Sequence, residues 1–210
     1  MKLLLLDWAA TLMSYFLLGL IRVLTGSQAR WWGCPPKAEQ RIYFANHQSH
    51  ADLVMIWAAL PKELRRSVRA VAARDYWTNS AFRQWLTSAV FNVIYVSRER
   101  SADEDPLEPL IEAMKAGDSL ILFPEGTRGY ADEPQAFKAG LYNLALKFPE
   151  VELVPAWINN VQRVMPKGEV VPVPVLCSVT FGVPMKVQPG EECHVFLARA
   201  RSAVIALRDV

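Results

Sequence analysis

A chain of 210 residues with 52% hydrophobic content is long enough for one large domain with a real core, which excludes a disordered protein. Its net charge of +2 is too small for bulk nucleic-acid binding, so no nucleic-acid partner is expected. Cys34, Cys177 and Cys193 are an odd count with no paired spacing, which argues against a disulfide framework or a cysteine-rich zinc site and favours a reducing compartment.

The first segment, Leu3–Leu24, is almost wholly apolar, with Asp7 and Arg22 its only charges. Its uncharged run, Trp8–Ile21, gives roughly 21 Å of helix at about 1.5 Å per residue. A hydrocarbon core needs about 30 Å, which only the full stretch would reach. On a helical wheel at roughly 100° per residue, Asp7, Thr11, Ser14, Arg22 and Thr25 fall within about 80° of one another, interrupted by Leu18. Such a stripe suits a helix lying in a membrane surface, or packed on the protein with its apolar face in lipid. Asp7 and the lack of a small-x-small site argue against a cleaved signal peptide. The expectation is a membrane-anchoring segment over 1–28, spanning or surface-lying, followed by one domain over 29–210. If the segment spans, Arg22, Arg30 and the basic stretch beyond place that domain on the cytoplasmic face of the cell membrane.

Trp31–Lys37, with Pro35 and Pro36, reads as a linker. Arg41–Ala45 is a short apolar strand, and a helix follows from about His50 to Leu60, stopped by Pro61. Val68–Ala72 reads as a strand, Asn79–Ala89 as a helix, Phe91–Val96 as a buried strand, and Pro106–Ala116 as a helix ended by Gly117. Leu120–Phe123 is a strand, Phe137–Phe148 a helix and Val151–Trp157 a strand. Val170–Phe181 is strand-like but broken by Pro172 and Pro174, as in an edge strand. Glu191–Leu207 reads as a strand running into a helix. Short apolar strands alternating with helices imply an α/β fold, a mixed and largely parallel sheet flanked by helices. Ligands of such sheets bind in loops beyond the strand ends. Between Lys62 and Arg100, eight Lys and Arg residues are opposed only by Glu63, Asp75 and Glu99, an excess that could meet lipid headgroups or a phosphorylated substrate.

Two motifs sit in such loops. In Asn46-His47-Gln48-Ser49-His50-Ala51-Asp52, a histidine precedes an aspartate by five positions. A histidine can take a hydroxyl proton at working pH, and a carboxylate on its other ring nitrogen fixes the tautomer. With Ser49 as N-cap, Asp52 falls on the first helical turn and faces back toward His47. The same residues also spell a helix-capping signal, and capping and catalysis are compatible. In Phe123-Pro124-Glu125-Gly126-Thr127-Arg128-Gly129, an apolar strand breaks into a turn whose Arg128 offers a rigid fork of donors for phosphate oxygens. Glu125 could orient Arg128, accept from a substrate hydroxyl or brace the turn. A metal reading of His47, His50 and Asp52 lacks further ligands, since His194 is remote and the cysteines are scattered.

Together the two motifs resemble the glycerolipid acyltransferase family, in its lysophosphatidic acid branch, and the resemblance covers most of the chain after residue 28. It implies His47 and Asp52 as the catalytic pair. Substrate-binding roles fall on Arg74, on Arg98 at the end of the block from Phe91, on Glu125, Gly126, Thr127 and Arg128, and on Lys138 in Phe137-Lys138-x-Gly140, with Arg98, Arg128 and Lys138 facing the acceptor phosphate. It further implies that Val154 and Pro155 shape the acyl site. Arg74 stands where many relatives carry a lysine, and Gly129 replaces a frequent serine. The implied activity moves a fatty acyl group from an acyl donor, coenzyme A or acyl carrier protein, to a lysophospholipid in the membrane, foremost 1-acyl-sn-glycerol-3-phosphate. No metal or bound cofactor is expected. The alternatives are another lysolipid acceptor, a thioesterase or phospholipase, and a catalytically silent lipid-binding protein. The absence of a Gly-x-Ser-x-Gly elbow weakens a serine hydrolase.

Overall fold

The structure is a computed structural model describing residues 2–26, 28–49, 51–74, 80–96, 105–129, 133–159 and 176–210. Seven strands make one sheet: β1 (Gln28–Trp31), β2 (Arg41–Ala45), β3 (Val68–Ala73), β4 (Ile94–Val96), β5 (Ser119–Leu122), β6 (Glu152–Asn159) and β7 (Ser178–Phe181). Their order is β1-β7-β6-β2-β5-β3-β4. The block from β6 to β4 is parallel, β7 pairs with β6 antiparallel, and β1 runs parallel to β7. The described helices are α1 (Lys2–Thr25), α2 (Asp52–Ala59), α3 (Lys62–Arg65), α4 (Ala81–Trp85, continuing into a π-turn over Leu86–Val90), α5 (Glu108–Lys115), α6 (Gly140–Lys147) and α7 (Cys193–Ile205).

The central strands are buried on both faces, which is why β2 is buried along its whole length without alternation of polarity. Tyr43 and Ala45 point to one face, where α2 and α3 pack and Leu17 and Leu18 of α1 join them. Ile42 and Phe44 point to the other, under α5, α6 and α7. Pro155 is tolerated inside β6 because its carbonyl, and so its missing N–H, faces β7 where that pairing stops: the first β6–β7 pair is Ala156 with Phe181, and Gly182 N–H donates to Pro155 C=O at 2.8 Å. Gly117, at φ +92°, ends α5, and Asp118 N–H reaches back to Ala113 C=O at 3.0 Å.

The sheet is as the sequence implied, and three local readings are corrected. Trp31 closes an edge strand rather than opening a linker, because Gln28–Trp31 pairs with β7 and the Trp31 ring stacks on Phe181 at 4.0 Å. The stretch from Phe91 is strand only from Ile94, since Asn92 turns left-handed at φ +48°. Glu191–Leu207 contains no strand: Glu191 is gripped by Arg199 at 2.7 Å and caps a turn that leads straight into α7. Of Val170–Phe181, only the end from Leu176 lies within the described residues. The apolar N-terminal helix is formed as α1, yet no described helix is long and apolar enough to cross a membrane.

At the opposite end of the sheet from the two motifs, Arg41 is 1% exposed and is held by Glu152 at 2.9 Å and by Pro35 C=O at 3.0 Å. Glu152 is about one-third exposed and can rehydrate if Arg41 is lost, whereas the guanidinium cannot. Glu152→Leu should therefore destabilise the fold by about 3 kcal/mol, at the low end for a broken buried pair, and more than Arg41→Leu does. Urea unfolding of the two variants checks this order.

Candidate active site

Both motifs leave adjacent parallel strands at the same end of the sheet. Phe44 of β2 lies opposite Leu122 of β5, so three residues further on His47 and Glu125 arrive side by side. Two hydrogen bonds join the loops there. His47 N–H donates to Glu125 Oε1 at 2.7 Å, and Gly129 N–H donates to His47 C=O at 2.8 Å. Glu125 Oε2 accepts from Gln135 N–H at 2.8 Å. Of the three roles open to Glu125, the structure assigns the brace: each carboxylate oxygen holds a backbone N–H of a different loop. The residue is 2% exposed, and burial pushes its carboxyl above the ordinary range although both backbone donors oppose that shift.

The His47 side chain is held on two sides. Its Nδ1 lies 2.9 Å from Asp52 Oδ2, and its ring stacks on Phe123 at 4.3 Å between centroids. The same Oδ2 accepts N–H bonds from Gln48 at 2.6 Å and Ser49 at 2.7 Å, and Asp52 is 1% exposed. A carboxylate at Nδ1 selects the tautomer with its proton there, which leaves the Nε2 lone pair for a substrate. Asp52 opens α2 as expected, with a correction to the cap. The cap position is Ala51 rather than Ser49, and the Ser49 hydroxyl instead accepts from Ala51 N–H at 3.2 Å. Asp52 thus both fastens the loop and faces the imidazole. His50 lies outside the described residues.

The turn brings cations to the same edge. Gly126 has φ +69°, which favours glycine, and a Cβ there would stand 2.6 Å from Lys138 Nζ, so the lysine chain lies across the turn. Lys138 is tied in place by its N–H to Pro124 C=O at 2.9 Å. Gly126 and Thr127 are exposed and Arg128 half-buried. Gly129 is buried, and a Cβ there would stand 3.2 Å from Glu125 Oε2, a close approach. Arg74 is exposed immediately after β3, at the strand end next to β5. Arg98 lies outside the described residues. Val154 and Pro155 are buried inside β6, opposite Tyr43 and Phe44, and can act on a site only through packing.

One site residue escaped the sequence reading. Asn46 is 1% exposed, and its amide closes two bonds on the backbone of Ile158, donating to C=O at 3.0 Å and accepting from N–H at 2.8 Å. It extends the β2–β6 ladder by one side chain and stops the residue before His47 from moving. Its place beside His47 in the motif was the available signal.

Comparisons with known proteins bear on the same residues. A family model described as Acyltransferase matches residues 35–159. The chain is 28% identical over 137 residues to 1-acyl-sn-glycerol-3-phosphate acyltransferase alpha of Homo sapiens, covering 64% of this chain and 46% of that protein. It is 28% identical over 151 residues to 1-acyl-sn-glycerol-3-phosphate acyltransferase of Cocos nucifera, covering 72% and 47%. The chain thus spans about half the length of the curated relatives it matches. Its structure is similar to the crystal structure of the 1-acyl-sn-glycerophosphate acyltransferase PlsC of Thermotoga maritima, with a TM-score of 0.69 over 99% of this chain and 81% of that one. At 20% identity, that likeness is one of fold.

The buried carboxyl yields a pH test. Its folded pKa lies above the unfolded value, so its stabilising contribution is full below the unfolded value and is lost as pH rises through the folded one. The stability of the wild type relative to Glu125→Gln should therefore fall as pH rises above the ordinary carboxylate range. Thermal unfolding of both proteins across acid to neutral pH measures this difference, and a flat or rising one would contradict it.

Proposed function

The chain belongs to the acyltransferase family, and from that premise we propose that it moves a fatty acyl group from a thioester, on coenzyme A or acyl carrier protein, to the free hydroxyl of 1-acyl-sn-glycerol-3-phosphate, giving phosphatidic acid. The single observation that carries the reading is the His47–Asp52 pair at 2.9 Å, braced through Glu125 to the turn that bears Arg128 and over which Lys138 lies. The relatives, named as acyltransferases of 1-acyl-sn-glycerol-3-phosphate, support the same acceptor.

In this mechanism the acceptor hydroxyl gives its proton to His47 Nε2 as its oxygen attacks the thioester carbonyl. Asp52 stabilises the imidazolium that forms and keeps the ring in place. The tetrahedral intermediate expels the thiolate as the C–S bond breaks, and the imidazolium returns the proton to sulfur. Arg128 and Lys138 hold the acceptor phosphate, the arginine by a bidentate fork, with Arg74 and Arg98 adding positive charge. Every step uses side chains of the chain itself, so the reading calls for no metal or cofactor. Because acceptor and product are membrane lipids, we place the 29–210 domain on the cytoplasmic face of the cell membrane. Segment 1–28 attaches it there, with α1 lying in the surface. The supporting feature is the exposed apolar row Trp8, Leu12, Phe16 and Val23 along one face of α1.

His47→Ala should lower turnover by about 10²–10⁴-fold, the usual contribution of a positioned base, with the fold retained. Asp52→Asn should also be severe, because the amide can mis-set the ring tautomer. Steady-state transfer to lysophosphatidic acid by purified variants tests both, and near-wild-type turnover by His47→Ala would rule the mechanism out.

Arg128→Ala should cost about 10–100-fold in kcat/KM for a phosphate-bearing acceptor, the range for a lost hydrogen-bonded charge. Arg128→Lys should stay defective because an ammonium lacks the fork. Competition between lysophosphatidic acid and a neutral monoacylglycerol reads this out. Equal preference in wild type and Arg128→Ala would remove the phosphate-binding role.

A further inference from the structure

Part of the polar stripe of α1 borders a cleft. Thr11, Ser14 and Tyr15 line a cleft of about 460 Å³ whose opposite wall is Lys62, Arg65 and Arg66 at α3. Lys62 Nζ lies 5.6 Å from the centre of the Tyr15 ring. Arg65 is fixed in position, donating to the carbonyls of Leu60 at 2.9 Å, Ala58 at 3.0 Å and Trp57 at 3.2 Å, with its guanidinium 5.0 Å from the Trp57 ring. Carbonyl bonds orient the arginine without neutralising it. Among the described residues, none of the three cations forms an ion pair. Three positive charges crowded into one concave, hydroxyl-lined site favour an anion there.

The neighbouring surface says which kind. Trp8, Leu12 and Phe16 are 67%, 66% and 62% exposed on the outer face of α1, and Tyr15 borders both that row and the cleft. At roughly 100° per residue the row and the cleft wall lie on adjoining sides of the helix. A ligand that places acidic oxygens in the cleft and hydrocarbon against the row is an anionic lipid. The cleft is also remote from the catalytic pair: α2 starts at Asp52, and its full length, about 12 Å at about 1.5 Å per residue, separates His47 from the α3 corner.

We propose that the α1–α3 cleft binds the phosphate of an anionic bilayer phospholipid, at a site distinct from the acceptor site, and so sets how the enzyme sits on charged membrane. This inference rests on the reading of α1 as a surface-lying helix. The cations of the cleft add the charge selectivity that an apolar row alone cannot supply.

Flotation of the full chain with vesicles of phosphatidylcholine alone, or of phosphatidylcholine with phosphatidylglycerol, tests both layers. The wild type should bind neutral vesicles and bind anionic ones more strongly. Lys62→Gln/Arg66→Gln should lose about fivefold in anionic-vesicle partition per charge removed, keep its neutral-vesicle partition, and keep wild-type transfer to detergent-dispersed acceptor. Lys115→Gln/Lys147→Gln, exposed lysines of α5 and α6 on the other face, should change neither partition. Retained anionic preference in the cleft variant, or an equal loss in the lysine control, overturns the cleft while leaving the helix reading intact. A cleft variant with wild-type vesicle partition that no longer binds inorganic phosphate or acyl carrier protein would assign the cleft to a soluble partner and overturn the proposal. Wild type that binds neither vesicle overturns the cleft and the helix reading together.

Discussion

The carboxylate of Asp52 is the group on which the site depends. It is almost fully buried, and one of its oxygens gathers the imidazole of His47 and the N–H groups of Gln48 and Ser49. A buried carboxylate is costly unless its lone pairs are met. Here the groups that meet them are the loop and the histidine of the proposed mechanism. The bonds that make the charge tolerable therefore also select the imidazole tautomer and present Nε2 outward, so stability and geometry cannot be separated at this residue.

The sheet supplies the remaining order. Parallel neighbours β2 and β5 end together, which sets the histidine loop beside the Glu-Gly-Thr-Arg turn without any long-range search. Glu125 and Asn46 then convert proximity into position. One holds the His47 N–H and the other locks the preceding residue to β6. In the proposed mechanism neither has to touch a substrate for its loss to be felt, because a catalytic group displaced by an ångström forfeits much of its rate. Gly126 completes the arrangement by giving Lys138 room to lie across the turn. The cations thus rest on a rigid floor rather than on a free loop.

Much of this was legible in the sequence where one residue type has few alternatives. A histidine five before an aspartate at a helix start, and an arginine after Pro-Glu-Gly, restrict both chemistry and backbone, and the structure puts both in one place. The buried strands were legible from their apolar runs, and Gly117 marked the end of α5. What stayed hidden is long-range hydrogen bonding by side chains to backbone. Glu125 reaches His47 across 78 positions and Asn46 reaches Ile158 across 112, and no local pattern encodes either. Short elements at the sheet edge failed for a related reason. Gln28–Trp31 is only four residues long, too short for its alternation to stand out, and is a strand because β7 offers it an edge. The polar stripe of α1 was visible on a helical wheel, but the basic wall it faces becomes apparent only once α3 is folded against it.

The central claim is that His47 delivers an alcohol, rather than water, to a thioester carbonyl. Its most direct test is stoichiometry: purified wild-type protein given an acyl-coenzyme A and 1-acyl-sn-glycerol-3-phosphate, with thiol release and phosphatidic acid followed in the same reaction. The account predicts one phosphatidic acid formed for each thiol released, and no thiol release above background when the acceptor is left out. Thiol release that continues without acceptor, or that outruns lipid product, would identify a hydrolase and contradict it.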